Sequence, residues 1–138
     1  MEEQLPLYPT GLTRGQFARL SDYANRASKL TAAELQRAAQ RHLQDTAQAR
    51  GQNLLVNLRL ARAIGDTIHE VVSRWGTLTL GARNWLAGAI LYFASSGDEE
   101  PDFTSPIGFE DDVEVLNACL RFAHLEHLCL HPEDYDDV

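Results

Sequence analysis

Leu80-Gly-Ala-Arg-Asn-Trp85-Leu-Ala-Gly-Ala-Ile90-Leu-Tyr-Phe-Ala94 is the stretch on which the fold of this chain turns. Wound as a helix, it places Trp85, Leu86, Ala89, Ile90, Leu91, Tyr92 and Phe93 on most of its circumference. Thr79 is suited to cap its start. A helix with so little polar surface lies at the centre of a bundle, enters a membrane or meets a partner. The apolar run from Trp85 to Ala94 is about half the roughly 20 residues that span a bilayer, and Ser95-Ser96-Gly97 closes it. Its length argues against a membrane span and leaves both central burial and contact with a partner open.

Working outward, other helices can be found. Pro6 and Pro9 bar regular helix near the start, so residues 1–12 are expected to be an extended arm. Thr13 caps a first helix to about Ser28, with Phe17, Leu20 and Ala24 on one stripe. Thr31-Ala-Ala-Glu34 is a capping box and opens a second helix through Leu35, Ala39, His42 and Leu43 to about Ala49, ended near Gly51. In the third, Leu54, Leu58, Ala61, Gly65, Ile68, Val72 and Trp75 recur at steps of four and three, a packing seam that Leu55, Ile64 and Val71 widen. Gly65 on that seam permits close approach of another backbone, or only weakens the helix. A fifth helix starts near Asp111 and is expected to reach about Leu130, where His131-Pro132 stops it. Nothing alternates with a strand period. The predicted fold is all-α: a single-domain bundle of about five helices over residues 13–131, with a Pro/Gly/Asp-rich loop between the last two and a loose acidic tail from Pro132 to Val138.

That loop carries a pattern. Tyr92, Ser95, Asp98, Pro101, Asp102, Phe103, Gly108, Phe109, Asp111 and Asp112 stand in fixed register between two apolar helices. The segment resembles the signature of the YkvA-like family (domain of unknown function 1232), in which an apolar helix leads through Tyr…Ser-Pro-x-Asp-x-x-Pro-Asp-Phe to Gly-aromatic-x-Asp-Asp and a second apolar helix. The resemblance covers residues 84–122 and implies a helical hairpin. Members of that family are often thought membrane-associated. Here Ser96, Gly97, Glu99 and Glu100 replace proline and bulky apolar residues, and four acids between Asp98 and Asp102 oppose contact with hydrocarbon.

Asp98, Asp102, Asp111 and Asp112 come from both ends of one loop and could converge on a divalent cation such as Mg²⁺ or Ca²⁺, which takes several carboxylate oxygens. Equally, Asp98 and Asp102 suit turns, and Asp111 and Asp112 suit the first turn of a helix, where acids complement the dipole. Pro101 stiffens the loop, and Gly108 can supply a positive φ. His124, His127 and His131 form a second metal candidate, because spacings of three and four bring them within about 60° on one helix face. As a plain alternative, histidines at a helix C-terminus answer its dipole.

Charge is distributed unevenly. Residues 98–138 hold thirteen acids and one base, Arg121, a balance of -12; residues 1–97 hold eleven bases and seven acids, +4, which together give the net -8. The arginines alternate with Glu34, Asp66 and Glu70 and form no dense patch, so nucleic acid is not an expected partner. Cys119 and Cys129, ten residues apart, would stand about 15 Å apart along one helix and are expected to be reduced thiols. Met1-Glu2-Glu3-Gln4 lacks a basic, apolar signal segment, and the expected compartment is the cytoplasm. No nucleophile elbow, P-loop or dinucleotide motif is present, and no catalytic residue or cofactor is assigned beyond the divalent-cation alternative. The expected role is a non-enzymatic interaction or regulatory module that binds a protein partner or self-associates through the third or fourth helix. A cation-binding protein and an acidic inhibitor or immunity-type binder of a basic partner are the other two candidates.

Overall fold

Helices in this chain begin where a side chain can take over the unpaired N–H groups of a first turn. In the computed structural model, which describes residues 7–52, 57–95 and 109–135, four of the five α-helices do so, α1 (Arg14–Ala27), α2 (Ala32–Gln52), α3 (Leu58–Ser73) and α4 (Leu80–Ala94), while α5 (Glu110–Phe122) starts at Phe109 without a side-chain cap. Thr13 caps α1 in a full capping box with Gln16. Thr31 and Glu34 exchange the same pair of bonds at the start of α2. Asn57 and Thr79 accept from Leu60 and Ala82 to open α3 and α4. The described residues contain no strand, and 3-10 turns at Trp75–Thr77, Glu126–Leu128 and Pro132–Tyr135 carry the helical count past the five expected.

The apolar girth of α4 is buried within the chain. α1, α2 and α5 all pack on it, and α3 is held against α2. Leu86, Ile90 and Phe93 are essentially inaccessible, and one hydrophobic cluster joins them to Leu20, Leu35, Ile64 and Leu116 on the other four helices. Each such side chain contributes roughly 1.5–3 kcal/mol on leaving water, so α4 collects much of the stabilisation of the fold. Of its three possible settings, central burial is the one adopted, and among the described residues no helix is long and apolar enough to cross a membrane.

α1 crosses α4 at very short range. A Cβ built on Gly88 would lie 2.9 Å from both Cα and Cβ of Ala24. Sequence spacing suggested Gly65 as the residue of close approach, but a Cβ there would meet the Leu43 side chain rather than a backbone. Gly65 receives a side chain, and Gly88 receives a helix.

Four further expectations are corrected. The inward stripe of α3 runs through Leu60, Ala61, Ile64, Thr67, Ile68 and Val71, while Leu58, Gly65 and Val72 are only partly buried. The seam is thus rotated, because α2 covers α3 from one side. α2 runs through Gly51 to Gln52 instead of ending near Ala49. α5 stops at Phe122, about eight residues early. His124 takes a left-handed φ of 62°, and the N–H groups of His124 and Leu125 turn back to the carbonyls of Arg121 and Leu120 at 3.2 and 2.8 Å. This is a Schellman ending, with buried Leu125 over Leu120 as its apolar contact. The first residues of the acidic tail are likewise not loose, since Pro132–Tyr135 packs on α3 with Tyr135 partly buried.

Replacing Gly88 with Ala should lower stability by about 1–3 kcal/mol, because backbone must move and the helix-propensity gain of about 1 kcal/mol does not offset it. Gly65→Ala meets only a side-chain tip and should cost less. Urea unfolding of both variants checks the order, and an unchanged midpoint for Gly88→Ala would show that the α1–α4 contact is not tight.

Candidate functional site

Polar side chains from three helices meet where α5 begins. Asp111, in its first turn, accepts from Tyr92 Oη of α4 at 2.5 Å and from Gln16 Nε2 and Arg19 Nη2 of α1 at 2.7 and 3.1 Å. Gln16 Nε2 also donates to Glu114 Oε2 at 2.8 Å, while its Oε1 accepts from the Thr13 N–H at 3.0 Å. The Arg19 guanidinium lies 5.1 Å from the centre of the Tyr92 ring, a distance at which cation and ring face attract. One amide therefore closes the capping box of α1 and clasps two carboxylates of α5.

Beneath this cluster the packing is aromatic. Phe109 is fully buried and Asp112 is 4% exposed. The buried His42 ring stands edge-on to Phe93, 4.9 Å between centres, and 6.1 Å from Phe109. Burial pushes the Tyr92 phenol far above its usual range, with the hydrogen bond to the Asp111 carboxylate adding to the effect. The arrangement thus holds a proton on Tyr92, whose hydroxyl donates to the Asp111 side chain. Its chemical competence is to lock three helices together: both Asp111 oxygens have donors, and no nucleophile adjoins them. The other reactive candidates are elsewhere. Cys119 is buried, its thiol pushed up by loss of solvent, and Cys129 is partly buried; both are free thiols.

Of the proposed cation ligands, Asp98 and Asp102 lie outside the described residues, as do Pro101, Phe103 and Gly108. Asp111 and Asp112 start α5 as the dipole argument expects, and an ion at Asp111 would compete with Arg19 for Oδ2. His124, His127 and His131 do not share a helix face, because α5 ends before the first of them: His124 sits in the left-handed turn, His127 in a 3-10 turn and His131 in irregular chain. Among the described residues no three His, Cys, Asp or Glu side chains are grouped to hold a metal. Of the motif residues, Tyr92, Phe109, Asp111 and Asp112 are gathered at this junction, whereas Ser95 is the C-cap of α4. Sequence reasoning missed Gln16 and Arg19. The only signal was Gln16 at the third helical position after Thr13, which marks a capping residue but not its partner 95 positions away.

Comparison with known protein families, curated proteins and solved structures finds no match.

Gln16→Glu isolates what the amide does, since Glu would keep the capping box but face Asp111 and Glu114 with a third carboxylate. Stability should drop by about 2–3 kcal/mol at neutral pH, with part of the loss recovered on acidification. A variant as stable as the parent at pH 7 would show that the clasp carries no weight.

Alkaline unfolding tests Tyr92. Its folded-state pKa is raised above the usual 10, so its stabilisation is complete below that pH. It is lost as pH climbs further, by up to about 1.4 kcal/mol per pH unit. The urea midpoint should fall above pH 10 and fall less steeply in Tyr92→Phe; equal slopes would contradict the assignment.

Proposed function

We propose that the chain is a non-enzymatic interaction module, related to the YkvA-like family through the segment around Tyr92 and Asp111, that engages a protein partner or a second copy of itself. The observation that carries the proposal is a set of large apolar side chains left in water at one end of the bundle: Leu7 is 85% exposed, Tyr8 53% and Leu80 71%. The arm and the first turn of α4 each lie beside the end of α5, Gly11 against Arg121 and Gly81 against Phe122. Along the arm, Tyr8, Pro9, Leu12 and Phe17 line an open groove of about 370 Å³. Apolar residues exposed in a group mark contact surfaces more often than scattered ones do.

The surface differs from the one expected. The body of α4 is covered by α1, α2 and α5, and the outer face of α3 carries Arg59, Arg62, Asp66 and Glu70. Self-association would use the first turn of α4 and the arm instead. Light scattering from low micromolar to near-millimolar protein should show the mean mass rising toward that of a dimer. Leu80→Asp should hold it at the monomer without altering the helical circular dichroism. A chain that remains monomeric throughout and cross-links to no partner in cells would remove the basis of the proposal.

A further inference from the structure

Between the first turn of α4 and the end of α5 lies a second concavity, of about 320 Å³. Leu78, Ala82 and Phe122 form apolar wall; Thr79, Arg121 and His124 contribute polar groups. Several carbonyls beside it already have donors. On the α5 side, the carbonyls of Cys119, Leu120 and Arg121 already accept from the N–H groups of Ala123, Leu125 and His124. On the other side, Thr77 Oγ1 takes the Arg74 carbonyl at 2.7 Å, and the Arg83 guanidinium takes those of Trp75 and Gly76 at 2.9 and 3.4 Å. These carbonyls are taken, and the lining residues themselves supply side-chain donors.

Arg121 is the sharpest of these donors. It is the one base among thirteen acids in residues 98–138, yet it makes no ion pair among the described residues. Its guanidinium lies beside Gly11 and Cys129. One acid stands close by: Glu126 Oε1 is 3.9 Å from His124 Nδ1, and Glu126 and Arg121 both lie near Cys129. His124 stands at a left-handed position, φ 62°, where glycine would be unstrained and an L side chain is disfavoured. Its side chain is 78% exposed at the edge of the cavity. The start of α4, with its positive dipole end, faces the same space.

We propose that this cavity binds a small organic monoanion with an apolar body, a short-chain carboxylate being the simplest case. The carboxylate pairs with the Arg121 guanidinium, whose fork matches it two bonds to two oxygens, with Thr79 and His124 among the residues lining the same cavity. The alkyl chain lies against Leu78, Ala82 and Phe122. Binding is a property of the isolated chain and holds or fails whether or not the chain self-associates.

Titration of ¹⁵N-labelled full-length protein with sodium hexanoate, with hexanamide as the uncharged isostere and inorganic phosphate as the charge without the chain, tests the site. Hexanoate should give saturable shifts confined to residues around Leu78–Ala82 and Arg121–His124, and hexanamide none. Phosphate should bind at least tenfold more weakly. Arg121→Gln should weaken hexanoate at least tenfold. His124→Gly should weaken it too while raising the melting temperature, which separates loss of the ligand from loss of the fold. Absence of saturation at millimolar hexanoate, equal binding by Arg121→Gln, equal binding of hexanamide, or shifts centred elsewhere would each overturn the assignment. Phosphate binding as tightly as hexanoate would overturn the apolar part of it.

Discussion

Helix α4 has almost no face to offer to water, and the rest of the chain is arranged to meet that constraint. Leaving its apolar side chains exposed would cost roughly 25 cal/mol for every Å² of surface, so three helices are drawn onto one. α1 comes closest, because Gly88 has no side chain to hold Ala24 away. The short distance brings backbone against backbone and carries the flanking pairs into contact, Phe17 on Trp85 and Tyr23 on Tyr92. α2 closes a second side and α5 a third, with α3 completing the core from behind α2.

Apolar burial sets which helices meet but leaves their register loose, since dispersion and hydrophobic forces are weakly directional. Direction comes from Asp111. Its carboxylate accepts from Tyr92, Gln16 and Arg19, and hydrogen bonds to a charged acceptor are stronger and more exacting than neutral ones. The acids at the start of α5 thus do two jobs, answering the helix dipole and orienting α5 across both α1 and α4. The opposite end of the bundle is finished differently. There the Schellman turn at His124 uses up carbonyls, the arm folds back so that Gly11 reaches Arg121, and apolar side chains remain in water.

How much of this was legible in the residues follows from the range of each interaction. Capping is a matter of three or four neighbouring residues, and Thr13, Thr31 and Thr79 mark their helices correctly. The apolar circumference of α4 is local too, but it left central burial and contact with a partner as alternatives, and packing decided between them. The stop of α5 was misplaced because His at a left-handed position carries no composition signal, unlike glycine, and Pro132 offered a plausible but later end. The grouping of His124, His127 and His131 depended on that longer helix and lapsed with it. The clasp on Asp111 was out of reach altogether, since Gln16 and Arg19 are more than ninety positions away in sequence.

By itself, then, the sequence determined that the chain is helical, where most helices start, and that one of them must be covered by the chain itself or by a partner, because propensity, capping and periodicity act over a few residues. Tertiary structure alone decided which glycine admits a neighbouring helix, which carboxylate is clasped, and which end keeps apolar side chains and Arg121 accessible. Those outcomes depend on distances between segments far apart in the chain, and only packing brings such segments together.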